Sequence, residues 1–155
     1  MINIKTETCR IGKKENGLIA ELVKVFREAL ILELTEADFI ETELSDFPYG
    51  SCEATSQMLA LYLESEGIKD VVYTRNQFES SIHYWVVVND LIIDLTAHQF
   101  SEVDEDFIVA SESPFHSKFE LLETYSPRRD SLNRMGSLYG YTRCYDSILS
   151  RVKNI

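Results

Sequence analysis

Cys52, His83 and Asp94 are the residues whose types and spacing can do chemistry together. Cys52 follows Gly50-Ser51, His83 stands before Tyr84-Trp85, and Asp94 closes Ile92-Ile93-Asp94. A thiol nucleophile, an imidazole base and a carboxylate that orients the base are the parts needed for acyl transfer through a thioester. Each has a plainer role when taken alone. A cysteine at a helix start is often a small buried hydrophobe. A strand histidine is often a hydrogen-bonded structural residue, and an aspartate at a strand end is often a turn former. Their joint placement is what raises the chemical reading.

Three elements must position them. Phe47-Pro48-Tyr49-Gly50-Ser51 reads as a breaker-rich loop, with Ser51 as N-cap of a helix from about Cys52 to Glu66. Ala54, Met58, Leu61 and the Leu59/Leu63 pair give that helix an apolar stripe, and Gly67 is its stop. Unpaired N–H groups and the helix dipole favour an anion at such a start. The backbone N–H of Cys52 is one candidate oxyanion donor. Tyr49, Ser51 and Gln99 are candidates for a second, and Trp85 and Gln99 are candidate cleft residues, although Trp85 fits a core position better.

Strands follow at Asp70–Arg75, Ile82–Val88 and Leu91–Thr96, the last two joined by Asn89-Asp90 as a two-residue hairpin turn. That turn pairs Val88 with Leu91, so Trp85 lies opposite Asp94 and His83 opposite Thr96. Alternate residues share a face. His83, Trp85, Asp94 and Thr96 therefore point to one side, with His83 and Asp94 diagonal neighbours roughly 7–8 Å apart at Cα. Tyr84, Val86, Val88, Leu91, Ile93 and Leu95 form the apolar opposite face. A loop one residue longer would send Asp94 to that face instead. His98 is the substitute base if the register differs; otherwise His98 and His116 read as surface residues.

Around this core, Gly17–Leu34 reads as an amphipathic helix capped by Asn16. Residues 35–46 read as a short second helix with Thr35 as cap and Asp38 three residues on. Phe107–Ala110 suggests an edge strand, suited to a dimer contact, and Phe115–Leu122 a short amphipathic piece. The last thirty residues, with Gly136, Gly140 and many Tyr and Arg, carry no assignable pattern.

The whole is one α+β domain of 155 residues, 45% hydrophobic and 26% charged. No apolar run reaches the ~20 residues of a membrane span. The N-terminus lacks the plan of a signal peptide, so the expected location is cytoplasmic. A net charge of −11 opposes nonspecific nucleic-acid binding. The charge is uneven: residues 126–155 carry a net +4 and the remainder −15. The simplest reading packs this basic segment against the acidic body. Cys9, Cys52 and Cys144 are odd in number and lack zinc spacing, so no disulfide framework, metal or cofactor is expected. Cys9 and Cys144 read as structural. There is no phosphate-binding loop.

Gly50-Ser51-Cys52, Leu59-Ala60-x-Tyr62-Leu63, Gly67, His83-x-Trp85-Val86-x-Val88 and Ile93-Asp94-Leu95-Thr96 together resemble the transglutaminase-like, papain-like-fold cysteine superfamily. The chain is also similar to small bacterial proteins of this type in Phe47-Pro48-x-Gly50-x-Cys52 and Ile93-Asp94-x-Thr96-x-x-Gln99-Phe100. The resemblance covers about residues 47–100. It implies Cys52 as nucleophile, His83 as base and Asp94 as orienting carboxylate, on a helix packed against an antiparallel sheet. It also implies a protein, peptide or small amide substrate, cut, deamidated or transamidated. Tyr84 departs from the small residue often found between the histidine and tryptophan. Two other classes stay open: a binding or regulatory module without turnover, and a metal site built from Cys52, His83, Asp94 and His98.

Overall fold

A computed structural model describes residues 4–40, 44–134 and 141–155, with side chains from residue 13 onward except those of 133 and 134. Gly136, Gly140 and the side chain of Cys9 lie outside the described residues. Helix α1 (Ile4–Glu36) is followed by α2 (Cys52–Ser65), then strands β1 (Val72–Phe78), β2 (Ser81–Val88) and β3 (Leu91–Asp94). Strand β4 (Ile108–Ala110), the single-turn helix α3 (Pro114–Ser117), β5 (Glu120–Tyr125) and α4 (Thr142–Val152) complete the order. The fold is α+β. The five strands form one antiparallel sheet in the order β4-β3-β2-β1-β5.

The β2–β3 hairpin has the expected register, Val88↔Leu91, Val87↔Ile92 and Val86↔Ile93. Asn89 and Asp90 have φ of +50° and +61°, the left-handed pair that matches the twist of two antiparallel strands. The ladder ends there: Asp94 pairs outward with Ile108 of β4, and Leu95-Thr96 turn away from β2 instead of extending the strand. Ile93, Val86, Val88, Leu91 and Leu95 are buried on one face, with Met58, Leu59 and Leu63 of α2 and Ile19, Val23, Phe26 and Leu30 of α1 in the same core. Tyr84 packs against this core as its strand position requires.

Helix α2 closes as its sequence predicts. Gly67 has a φ of +89°, and its N–H reaches Glu64 O at 3.0 Å while that of Ile68 reaches Leu63 O at 3.1 Å, the paired closure that a C-terminal glycine permits. Its start differs from expectation. The Ser51 side chain makes no capping bond and donates to Tyr49 O at 3.3 Å. Ser51 already has helical dihedrals, so its hydroxyl is turned away from the N–H groups ahead of it.

Other expectations need correction. Helix α1 begins thirteen residues before Gly17, so Asn16 is interior and caps nothing; Leu18 is 51% exposed, and Ile19 takes the core position beside it. Thr35 caps no second helix: it is still in α1, its hydroxyl donating to Ile31 O at 2.7 Å. The first strand starts at Val72 and runs on to Phe78. Strand β4 is an edge strand, as read. Phe115–Leu122 is no single amphipathic piece but α3 followed by the start of β5, which crosses to the far edge beside β1. The basic C-terminal segment packs on the acidic body. Arg151 of α4 bonds Glu33 at 2.6 Å and Glu36 at 2.7 Å on α1, while Arg129 bonds Asp146 within the segment itself at 2.7 Å. Cys144 is buried in that packing. No described helix is long and apolar enough to cross a membrane.

Candidate functional site

Asp94 is the centre of the site. Its carboxylate is 1% exposed, yet each oxygen receives two hydrogen-bond contacts. Oδ1 accepts the Thr96 backbone N–H at 2.9 Å and the Thr96 hydroxyl at 3.3 Å. This is the turn that an Asp-x-Thr sequence favours, the side chain bonding the backbone two residues on. Oδ2 meets His83 Nε2 at 2.6 Å and His116 Nε2 at 2.7 Å. A buried carboxylate with all its lone pairs satisfied stays ionised. Burial pushes the Asp94 acid up, but the charge of His83 and the hydrogen bonds from His116 and His83 outweigh it, holding the group well below the usual carboxylate range.

His83 is fully buried on β2. Asn76 pairs directly opposite on β1, its amide donating to His83 O at 3.2 Å and to the Thr74 hydroxyl at 2.9 Å. Aromatic rings enclose the imidazole: Phe100 at 5.0 Å, Trp85 at 5.6 Å and Phe119 at 6.0 Å between centroids. Burial pulls its pKa down. The adjacent Asp94 carboxylate pulls harder in the other direction, with the nearby Cys52 adding to it, and the result is raised to about 9. His83 is therefore an imidazolium at neutral pH. Its Nε2–H points at Asp94, while Nδ1 is 3.1 Å from the Gln99 side-chain amide.

Cys52, the first residue of α2, is half-buried and close enough to His83 to add to the rise in that imidazole's pKa. Of the other candidates, Gln99 touches the imidazole directly. Trp85 is buried, edge-on to His116 at 4.6 Å between ring centroids, and so belongs to the wall behind the imidazole. Ser51 is buried one residue before the thiol, and Tyr49 is 55% exposed. His98 does not replace His83 as base. It lies half-buried, edge-on to Phe47.

His116 is the residue that sequence reasoning missed. Expected at the surface, it is 2% exposed. It is presented by α3, whose Ser113 cap accepts the His116 N–H and also meets His116 Nδ1 at 2.6 Å. The signal was present: Ser113-Pro114 is a cap followed by proline at the first helical position. A four-residue helix has no periodicity to confirm it. The alternative metal set, Cys52, His83, Asp94 and His98, is not the one that converges. Among the described residues, the ligand atoms that converge are those of His83, Asp94 and His116, all within 4.8 Å of one another.

Comparison with known proteins finds no matching family model, no matching curated protein and no matching solved structure.

Proposed function

We propose that the protein is a cysteine-dependent acyl-transfer enzyme of the transglutaminase-like, papain-like-fold type. The observation that carries this is a single buried imidazole, His83, bonded to a buried carboxylate and near the thiol at the start of α2. In this reading Nε2 is committed to Asp94, and Nδ1 exchanges its contact with the Gln99 amide, at 3.1 Å, for the thiol. The sulfur of Cys52 attacks an amide carbonyl while its proton resides on His83. Collapse of the tetrahedral adduct breaks the C–N bond, and the imidazolium gives that proton to the departing amine. The thioester left on Cys52 is resolved by water, in hydrolysis or deamidation, or by an amine, in transamidation. The Cys52 backbone N–H supplies one contact to the oxyanion. Asp94 keeps the imidazole oriented and balances its charge. The acidic net charge supports a protein, peptide or small amide as substrate over a nucleic acid.

A second reading, a binding module on the same scaffold, is favoured by the complete burial of His83 and the Gln99 amide resting on its Nδ1. Iodoacetamide labelling of each cysteine against pH, read by mass spectrometry, separates the two. The enzyme reading expects Cys52 to label fast at pH 6 and to slow markedly in His83→Gln. An ordinary thiol profile that ignores the substitution leaves the binding module.

A further inference from the structure

Asp94 serves two histidines. We propose that His116 is a positioning residue of the same site, the fourth member of a chain Ser113–His116–Asp94–His83. The proposal rests on the thiol chemistry above and adds a group to it.

The geometry is specific. His116 Nε2 lies 2.7 Å from the same oxygen, Oδ2, that His83 Nε2 approaches at 2.6 Å. Both imidazoles are buried, their centroids 6.3 Å apart and their planes 29° from parallel. An ionised carboxylate oxygen only accepts, so both nitrogens carry hydrogens. Ser113 Oγ, at 2.6 Å from Nδ1, holds the ring of His116 in place. Trp85 packs edge-on to the ring, and Phe115 does so at 5.0 Å. The groups facing His116 are therefore Asp94, His83, Ser113 and two aromatic rings.

The consequence for His83 is orientational. With Thr96 on Oδ1 and two imidazoles on Oδ2, the carboxylate has no free lone pair and no freedom to rotate. A saturated carboxylate is also a weaker base, so it leaves the mobile proton on His83, where a leaving amine needs it. The chain ends at a cavity of about 370 Å³ whose lining includes Ile92, Glu112, Ser113, Pro114 and His116. A metal ion held by the same three side chains is a competing explanation. It would require both Nε2 atoms to be unprotonated, whereas hydrogens on both are what the two short contacts to one oxygen call for.

Nitrogen NMR of the imidazoles tests this in the wild-type protein without reference to the thiol. The expected result is protonated Nε2 on both His83 and His116 near neutral pH. An unprotonated His116 Nε2 overturns the proposal, as does one-to-one Zn²⁺ uptake that shifts both Nε2 signals. Two variants test the consequence. His116→Phe keeps the ring and removes the donor; Cys52 labelling at pH 6 should fall by about tenfold or more, the scale of one lost hydrogen bond to a charged group. His116→Gln restores an N–H near the same place and should recover most of that rate. Should His116→Phe fail to fold, Ser113→Ala reads the same chain more gently, with a smaller slowing in the same direction. A wild-type Cys52 that labels like an ordinary thiol sinks the enzyme reading. A fast wild-type Cys52 whose pH profile survives His116→Phe sinks only the role of His116.

Discussion

The two faces of the β2–β3 hairpin are built on opposite principles. One face, Val86, Val88, Leu91, Ile93 and Leu95, is apolar and packs with α1 and α2 in a single core. The other carries His83 and Asp94, equally inaccessible to water but joined by charge-assisted hydrogen bonds under a cover of aromatic rings. The first is stabilised by the area it buries, about 1.5–3 kcal/mol for each large side chain. The second costs desolvation of two charges, which geometry must offset. Equal burial therefore means different things one residue apart: Ile93 tolerates small changes in shape, while Asp94 tolerates none in charge.

Asp94→Asn is the largest perturbation of that comparison. It removes the main cause of the raised His83 pKa and leaves an amide against two N–H donors. Breaking a buried pair in this way costs about 3–5 kcal/mol, measured by urea unfolding at pH 6. Burial then dominates at His83, whose pKa falls below its usual value. Cys52 should lose its fast labelling in the same variant. A stability within about 1 kcal/mol of wild type would mean that the polar face is not built around this carboxylate.

Proton linkage supplies the next effect. The pKa of His83 is raised from 6.5 unfolded to about 9 folded. A raised basic group contributes stability fully below the unfolded value and loses it as pH climbs through the folded one. The window is thus pH 6.5 to 9, and the span corresponds to about 3 kcal/mol. Unfolding free energies at intervals from pH 6 to 9.5 should decline across it, and the difference from Asp94→Asn should shrink in parallel. A parallel decline in both proteins would assign the slope to groups elsewhere.

The apolar face was far more legible in sequence than the polar one. Helix α2, its Gly67 ending and the hairpin register follow from periods of 3.6 and 2.0 and from the conformational needs of Asn89-Asp90. These are local rules. They also put His83 and Asp94 on one face before any coordinate. What was illegible depends on distance along the chain. Strand β5 is Glu-Leu-Leu-Glu-Thr-Tyr, mostly exposed and without clean alternation; it is a strand because β1 has a free edge. The start of α1, Lys5-Thr6-Glu7-Thr8, carries no apolar stripe to mark it. His116 reaches Asp94 across 22 residues and the intervening strand β4, and Asn76 matters only because it lies opposite His83. No pattern within a short window encodes either contact.

Ile93→Val gives the smallest effect and the sharpest division between the faces. Ile93 is 1% exposed, pairs with Val86 and Val109, and is the neighbour of Asp94 in the chain. Deleting one methyl from a filled core costs about 0.5–1.5 kcal/mol, through lost transfer energy and a small cavity. The strand pleat directs that cavity toward α2, away from the carboxylate. Urea unfolding should record the loss, while the pH profile of Cys52 labelling superimposes on that of wild type. A profile that moves with so slight a change would show the faces to be mechanically coupled: the position of Asp94 would then depend on how tightly the opposite side is packed, and the core would itself be part of what tunes His83.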